Sequence, residues 1–148
     1  MAYQAIDIAN KILAKASSDS SEELISNMKL QKLLYYQQGF HLAYFGTPLF
    51  DEDIEAWMYG PVVPNVYEQF KDHNNKGIEY LEVPITLSKT NEEALFNEVY
   101  RVYGKYSAIG LMEMAHQEMP WKSTNIGKGN IIGKDKLMVF FKKRIKNG

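Results

Sequence analysis

Residues 26–48, "SNMKLQKLLYYQQGFHLAYFGTP", carry the most organised pattern in the chain. Ser26 is placed to cap a helix, and Ile25 before it can staple onto Leu30. The helix predicted from this start runs from Asn27 to Tyr44, with Leu30, Leu33, Leu34, Phe40 and Tyr44 on one face. Gln37 and His41 fall in the middle of that same face. A polar pair inside an apolar stripe needs hydrogen-bond partners, because burying it unpaired is costly. Gly46 and Pro48 end the helix.

Working outward, Ala5, Ile6, Ala9, Ile12, Leu13 and Ala16 predict a first helix from Tyr3 to Ala16, and Ser17 to Glu23 is a polar loop. Downstream, Ile54, Ala56 and Met58 alternate with Glu55, Trp57 and Tyr59, the period of a short strand with two faces. Gly60-Pro61 reads as the turn after it, and Pro64 opens a helix through Val66, Tyr67 and Phe70. Ile78 to Leu87 reads as a second strand paired with the first, confined to an edge by Pro84. Thr90 and Glu93 predict a capping box for a helix to Tyr103. Ser107 caps another to Glu118, ended by Pro120. Lys122 to Asn130 reads as a flexible loop, and a last helix from Lys134 to Lys146 buries Leu137, Phe140, Phe141 and Ile145. The expected fold is predominantly α (α+β): one domain over residues 1–148, a compact bundle of about six helices with a small two-stranded β element.

Cysteine is absent, which removes disulfides, thiolate metal sites and a cysteine nucleophile. No apolar run approaches a membrane span, and the first residues lack the pattern of a signal peptide. A soluble, cytoplasmic protein is the expectation. Charge is polarised: residues 1–121 hold 9 Lys and Arg against 17 acids, while residues 122–148 hold 8 against Asp135 alone.

Candidate chemistry is sparse. Glu113 and His116 have the spacing of a di-iron ligand pair, but such a site needs two of these motifs and further glutamates. His41 with Gln37 and an acid such as Asp51 is a candidate hydrolase or nuclease set; a buried, satisfied polar pair explains it more simply. No phosphate-cradling or nucleophile-elbow motif occurs, and Gly127-Lys128-Gly129 lacks the strand-to-helix context of a phosphate loop. Lys142, Lys143, Arg144 and Lys146 suit a helix C-terminus, balance Asp51, Glu52, Asp53 and Glu55, or meet an acidic partner. The chain as a whole is not basic, which argues against nucleic acid. Trp57, Tyr59 and Tyr67 around Pro61 either fill a corner of the core or anchor a protein interface.

The central segment, residues 28–71, resembles the Panacea domain of SocA-like antitoxins, a family also associated with phages and genetic elements. Lys29, Leu30, Lys32, Leu33 and Tyr35 carry the first part of the pattern, followed by Gln38-Gly39, Pro48, Glu55 and Trp57, then Gly60-Pro61. His116 and Trp121 match the family's C-terminal part more loosely. The resemblance implies a compact helical antitoxin of bacterial or prophage origin that binds and neutralises a co-encoded toxin by direct contact. It implies no catalytic residue, metal or cofactor. An adaptor delivering a bound protein to a protease is the rival reading, with a chaperone or a second copy of the chain as further partners. The residues expected at the partner surface are Trp57, Tyr59, Pro61, Tyr67, Lys142, Lys143 and Arg144.

Overall fold

The computed structural model describes residues 2–19 and 22–147. Among them are seven α-helices and three short strands: α1 (Ala5–Ser18), α2 (Asn27–Phe45), β1 (Ile54–Trp57), β2 (Gly60–Val62), α3 (Pro64–Phe70), α4 (Thr90–Tyr103), α5 (Ala108–His116), α6 (Met119–Lys122), β3 (Ile131–Ile132) and α7 (Lys134–Asn147). The fold is predominantly α with a small β element, as expected. None of these helices is long and apolar enough to cross a membrane.

Helix α2 is the axis of the molecule. Its start is as the sequence predicts: Ser26 Oγ accepts from the Lys29 amide, and Gly46 closes the other end in the left-handed conformation at φ 73°. It does not present one apolar stripe, however. Thirteen of its nineteen residues are buried, because α1, α4, α5, α7, α3 and β2 pack around it. A helix enclosed over most of its circumference has little solvent face, so its buried polar residues must each find a partner. Gln38 does so by mimicking a strand. Its side chain accepts from the Leu49 amide at 2.7 Å and donates to the Phe50 carbonyl at 2.7 Å, pinning the segment after Pro48. Gln31 accepts from the Val63 amide and donates to Asn27, which donates onward to the Tyr67 carbonyl. Lys29 reaches the Gly104 carbonyl at the C-terminus of α4, where a cation meets the helix dipole. At Gly39 the backbone of α2 closes on α7, and a Cβ there would collide with the Phe141 ring.

The sheet has the order β2-β1-β3, all antiparallel. Trp57 pairs with Gly60, so Met58 and Tyr59 form the tip of a tight hairpin. Gly60-Pro61 is therefore not the turn but the start of β2. Pro61 is tolerated there because β2 is an edge strand. The expected second strand, Ile78 to Leu87, does not pair with β1. Only Ile78 makes a bridge, to Ile25, and the place beside β1 is taken by Ile131 and Ile132. The loop before them, expected to be flexible, is stitched to β1 by Ala56 to Asn130 at 2.9 Å, Gly127 to Ala56 at 2.8 Å, and Gly129 to the Glu55 carboxylate at 2.8 Å.

Two cap expectations also change. Thr90 lies inside the first turn of α4 and caps nothing; Glu93 instead accepts from the Leu87 amide and from Lys11. Pro120 does not end α5, which stops at His116, but stands in the first turn of α6, where its missing N–H costs nothing. Ser107 caps α5 as expected, accepting from Gly110 at 2.9 Å.

Candidate functional site

The hairpin tip is the most exposed aromatic feature of the chain. Met58 and Tyr59 are 65% and 61% exposed, so Met58 does not continue the inward row of Ile54 and Ala56. The tip is nonetheless held firmly. His116 donates from Nε2 to the Met58 carbonyl at 3.1 Å, and the Trp121 indole donates to the Trp57 carbonyl at 2.9 Å. The His116 and Trp121 rings are in contact, tilted by 33° with centroids 4.2 Å apart. The two residues that match the C-terminal part of the pattern thus brace the strand that carries its centre. Trp57 itself is half-buried. Its indole donates to Glu55 at 2.9 Å, its ring meets Tyr67 edge-on at 5.1 Å, and Lys128 lies 5.3 Å above it. It belongs to neither of the two extremes, core or free surface.

Beside this strand opens a cavity of about 280 Å³. Trp57, Tyr59 and Tyr67 line its mouth side together with Lys71, while Asn27, Gln31 and Lys32 of α2 form its inner wall. Lys32 is the unusual member. Its side chain is 1% exposed, and its ammonium makes one hydrogen bond, a 3.3 Å contact to the Pro61 carbonyl. Among the described residues no carboxylate lines the cavity. Burial strips the ammonium of water without supplying a counter-charge, and pushes its pKa down to about 7. Gly60, at φ 111°, makes room for this side chain, since a Cβ there would stand 2.6 Å from Lys32 Cε. A larger cavity of about 510 Å³ runs under the segment after Tyr80, but Lys11, its buried cation, is already held by the Ile85 carbonyl and Glu93.

The other predicted site residues are placed elsewhere. Pro61 is buried in β2, and contributes its carbonyl to Lys32 rather than a ring to the surface. Arg144 turns inward to Glu118 at 2.9 Å and to the Tyr103 hydroxyl at 3.3 Å, whereas Lys142 and Lys143 stay exposed. Glu118 also accepts from Tyr35 at 2.8 Å and from Tyr36 at 3.1 Å. Burial raises its carboxyl above the ordinary value, opposed by Arg144 and the two phenols. Desolvation of Arg144 is outweighed by Glu118, which holds the guanidinium charged. These donors converge on Glu118, which is the shared acceptor of the cluster. Part of the basic tail thus satisfies the acidic body: Lys134 likewise meets Asp53 at 3.2 Å and the Asp51 carbonyl.

Gln37 and His41 turn to different partners rather than to each other. Gln37 donates to the Phe96 carbonyl, while His41 bridges the Thr47 carbonyl and Glu92, each at 2.7 Å. Burial opposes ionisation of Glu92, but hydrogen bonds from His41 and Tyr3 prevail and hold its carboxyl below the ordinary range. Among the described residues no group of three His, Asp or Glu side chains is placed to hold a metal.

Lys32 belongs to the sequence pattern of α2, and nothing in that pattern marks it as the floor of a cavity. The available signal was composition: α2 contains two lysines and no acid over its whole length. So poor a helix in charge is a helix with little solvent contact, and a lysine within it lacks both water and a partner on its own helix.

The family described as antitoxin SocA-like, Panacea domain, matches residues 30–122, the span from α2 through α6. "Antitoxin SocA" of Caulobacter vibrioides (strain NA1000 / CB15N) is 33% identical over 138 residues, covering 85% of this chain and 72% of that one. No solved structure matches the chain. From the α2 pattern, the braced hairpin and these two matches, the chain belongs to the SocA-like antitoxin family and carries its Panacea domain.

Proposed function

We propose that the chain neutralises a toxin by direct protein contact, with the β1–β2 hairpin face as the contact surface. One observation carries this reading: an aromatic tip, Met58-Tyr59 with Trp57 and Tyr67 behind it, is presented to solvent yet braced by His116 and Trp121. Aromatic anchors held in place before binding lose little freedom when a partner covers them, which is what a protein interface needs. Lys142 and Lys143 form a second, electrostatic contact in this proposal. Arg144 serves the fold and Pro61 acts only through its carbonyl. The antitoxin family supports a role without catalysis, and the occupied ring nitrogens of His41 support it as well. We take the protein to act in the cytoplasm, where such a toxin is made.

The test is co-expression with the product of the adjacent gene. The toxin alone is expected to arrest growth, and the two proteins are expected to rescue growth and to co-purify. Trp57→Ala with Tyr59→Ala is expected to abolish both rescue and co-purification in a chain that still melts cooperatively. Rescue without any complex, or a double variant that rescues fully, would overturn the reading.

A further inference from the structure

The cavity next to the hairpin has a chemistry of its own. Its enclosed wall carries a lysine without a counter-ion, and a second lysine, Lys71, stands at its edge. Lys71 is paired on the outer side with Glu68 at 3.3 Å. The remaining titratable groups facing the cavity are the Tyr59 and Tyr67 phenols. Glu55 on the neighbouring strand turns away, to the Trp57 indole and the Gly129 amide. Asn27 and Gln31 are committed to each other and to backbone groups. Of the three donors on the Lys32 ammonium, one is used. A buried cation with spare donors, inside a carboxylate-free cavity of side-chain size, is complementary to a single carboxylate.

We propose that the cavity is a socket for an acidic side chain of the bound toxin, whose carboxylate is received by the Lys32 ammonium while its stem lies against the Trp57–Tyr67 ring pair. This inference rests on the direct-contact reading above. It adds a chemical requirement: the partner presents a protruding Asp or Glu at the centre of the interface. It also adds a proton. In the free chain Lys32 is about half neutral at pH 7 and largely neutral by pH 8, because nothing offsets its burial. A docked carboxylate favours the charged form, so association takes up a proton on Lys32. Binding therefore weakens as pH rises above 7, as the protonated, binding-competent fraction of the free chain falls.

The experiment is calorimetric titration of the chain with the purified product of the adjacent gene, at pH 7, 8 and 9, in pairs of buffers that differ in ionisation enthalpy. At pH 8 about nine-tenths of Lys32 is neutral, so uptake close to one proton per complex is expected. The Kd is expected to rise by up to about fifty-fold from pH 7 to pH 9. Lys32→Met is expected to bind at least ten-fold more weakly at pH 7, with no proton uptake. The proton count comes from the unmodified chain, so it stands even if the variant fails to fold. A wild-type complex that forms without proton uptake, or a folded K32M that binds as tightly with the same uptake, overturns the socket and leaves direct contact intact. A toxin that does not bind the wild-type chain at all overturns both.

Discussion

Replacing Lys32 by Met removes the ammonium and keeps an unbranched stem in the same space. The wild-type group contributes a 3.3 Å hydrogen bond to Pro61 and carries the desolvation that lowers its pKa to about 7 from the ordinary 10.5. The direction of the effect follows from which state holds the proton more tightly. Because the folded pKa lies below the unfolded one, the unfolded chain binds the proton preferentially between pH 7 and 10.5. The wild-type protein thus becomes more stable as pH rises through that window, and carries the full penalty below pH 7. Integrated over the two pKa values, Lys32 alone raises stability by about 2 kcal/mol from pH 7 to pH 9. K32M has no such group. It is expected to be more stable than wild type by about 1–4 kcal/mol at pH 7, the range seen when buried charges are exchanged for apolar side chains. The gap should narrow by about 2 kcal/mol by pH 9. Urea unfolding followed by tryptophan fluorescence at pH 6, 7, 8 and 9 measures both. Parallel stability-versus-pH curves for the two proteins, or a K32M that is less stable at pH 7, would refute the claim that Lys32 is buried without a counter-charge.

Two further substitutions test how α2 is held. Gly39→Ala places a methyl against the Phe141 ring, and is expected to cost about 1–3 kcal/mol by thermal unfolding; adding Phe141→Leu should recover part of it, a coupling that distant sites would not show. Glu118→Gln leaves Arg144 facing a neutral group and replaces one of the two oxygens that accept from Arg144, Tyr35 and Tyr36 with an NH2 donor, and is expected to cost about 3 kcal/mol in denaturant unfolding.

If K32M stabilises the fold and weakens toxin binding, the two results together assign the lysine to function, since a residue kept for the fold would not destabilise it. The same logic explains what was legible in the sequence and what was not. Local signals read correctly: Ser26 and Ser107 cap their helices, and Gly46 closes α2. These depend on residues a few positions apart, and so are written in short stretches of chain. The misread elements depend on distant competition. Ile78 to Leu87 has strand-like composition, but Ile131 and Ile132 occupy the edge of β1 that it would have needed. The apolar stripe assigned to α2 dissolves because six other elements enclose the helix, and periodicity cannot register how many neighbours arrive. Lys32 was hidden by that same error. On a helix with a solvent face it is an ordinary surface lysine; on an enclosed helix it is a charge without water. Its placement beside Trp57 and Tyr67 is created by the fold, which brings α2, the hairpin and α3 around one cavity. The aromatic corner thus acquires chemistry that none of its own residues carries.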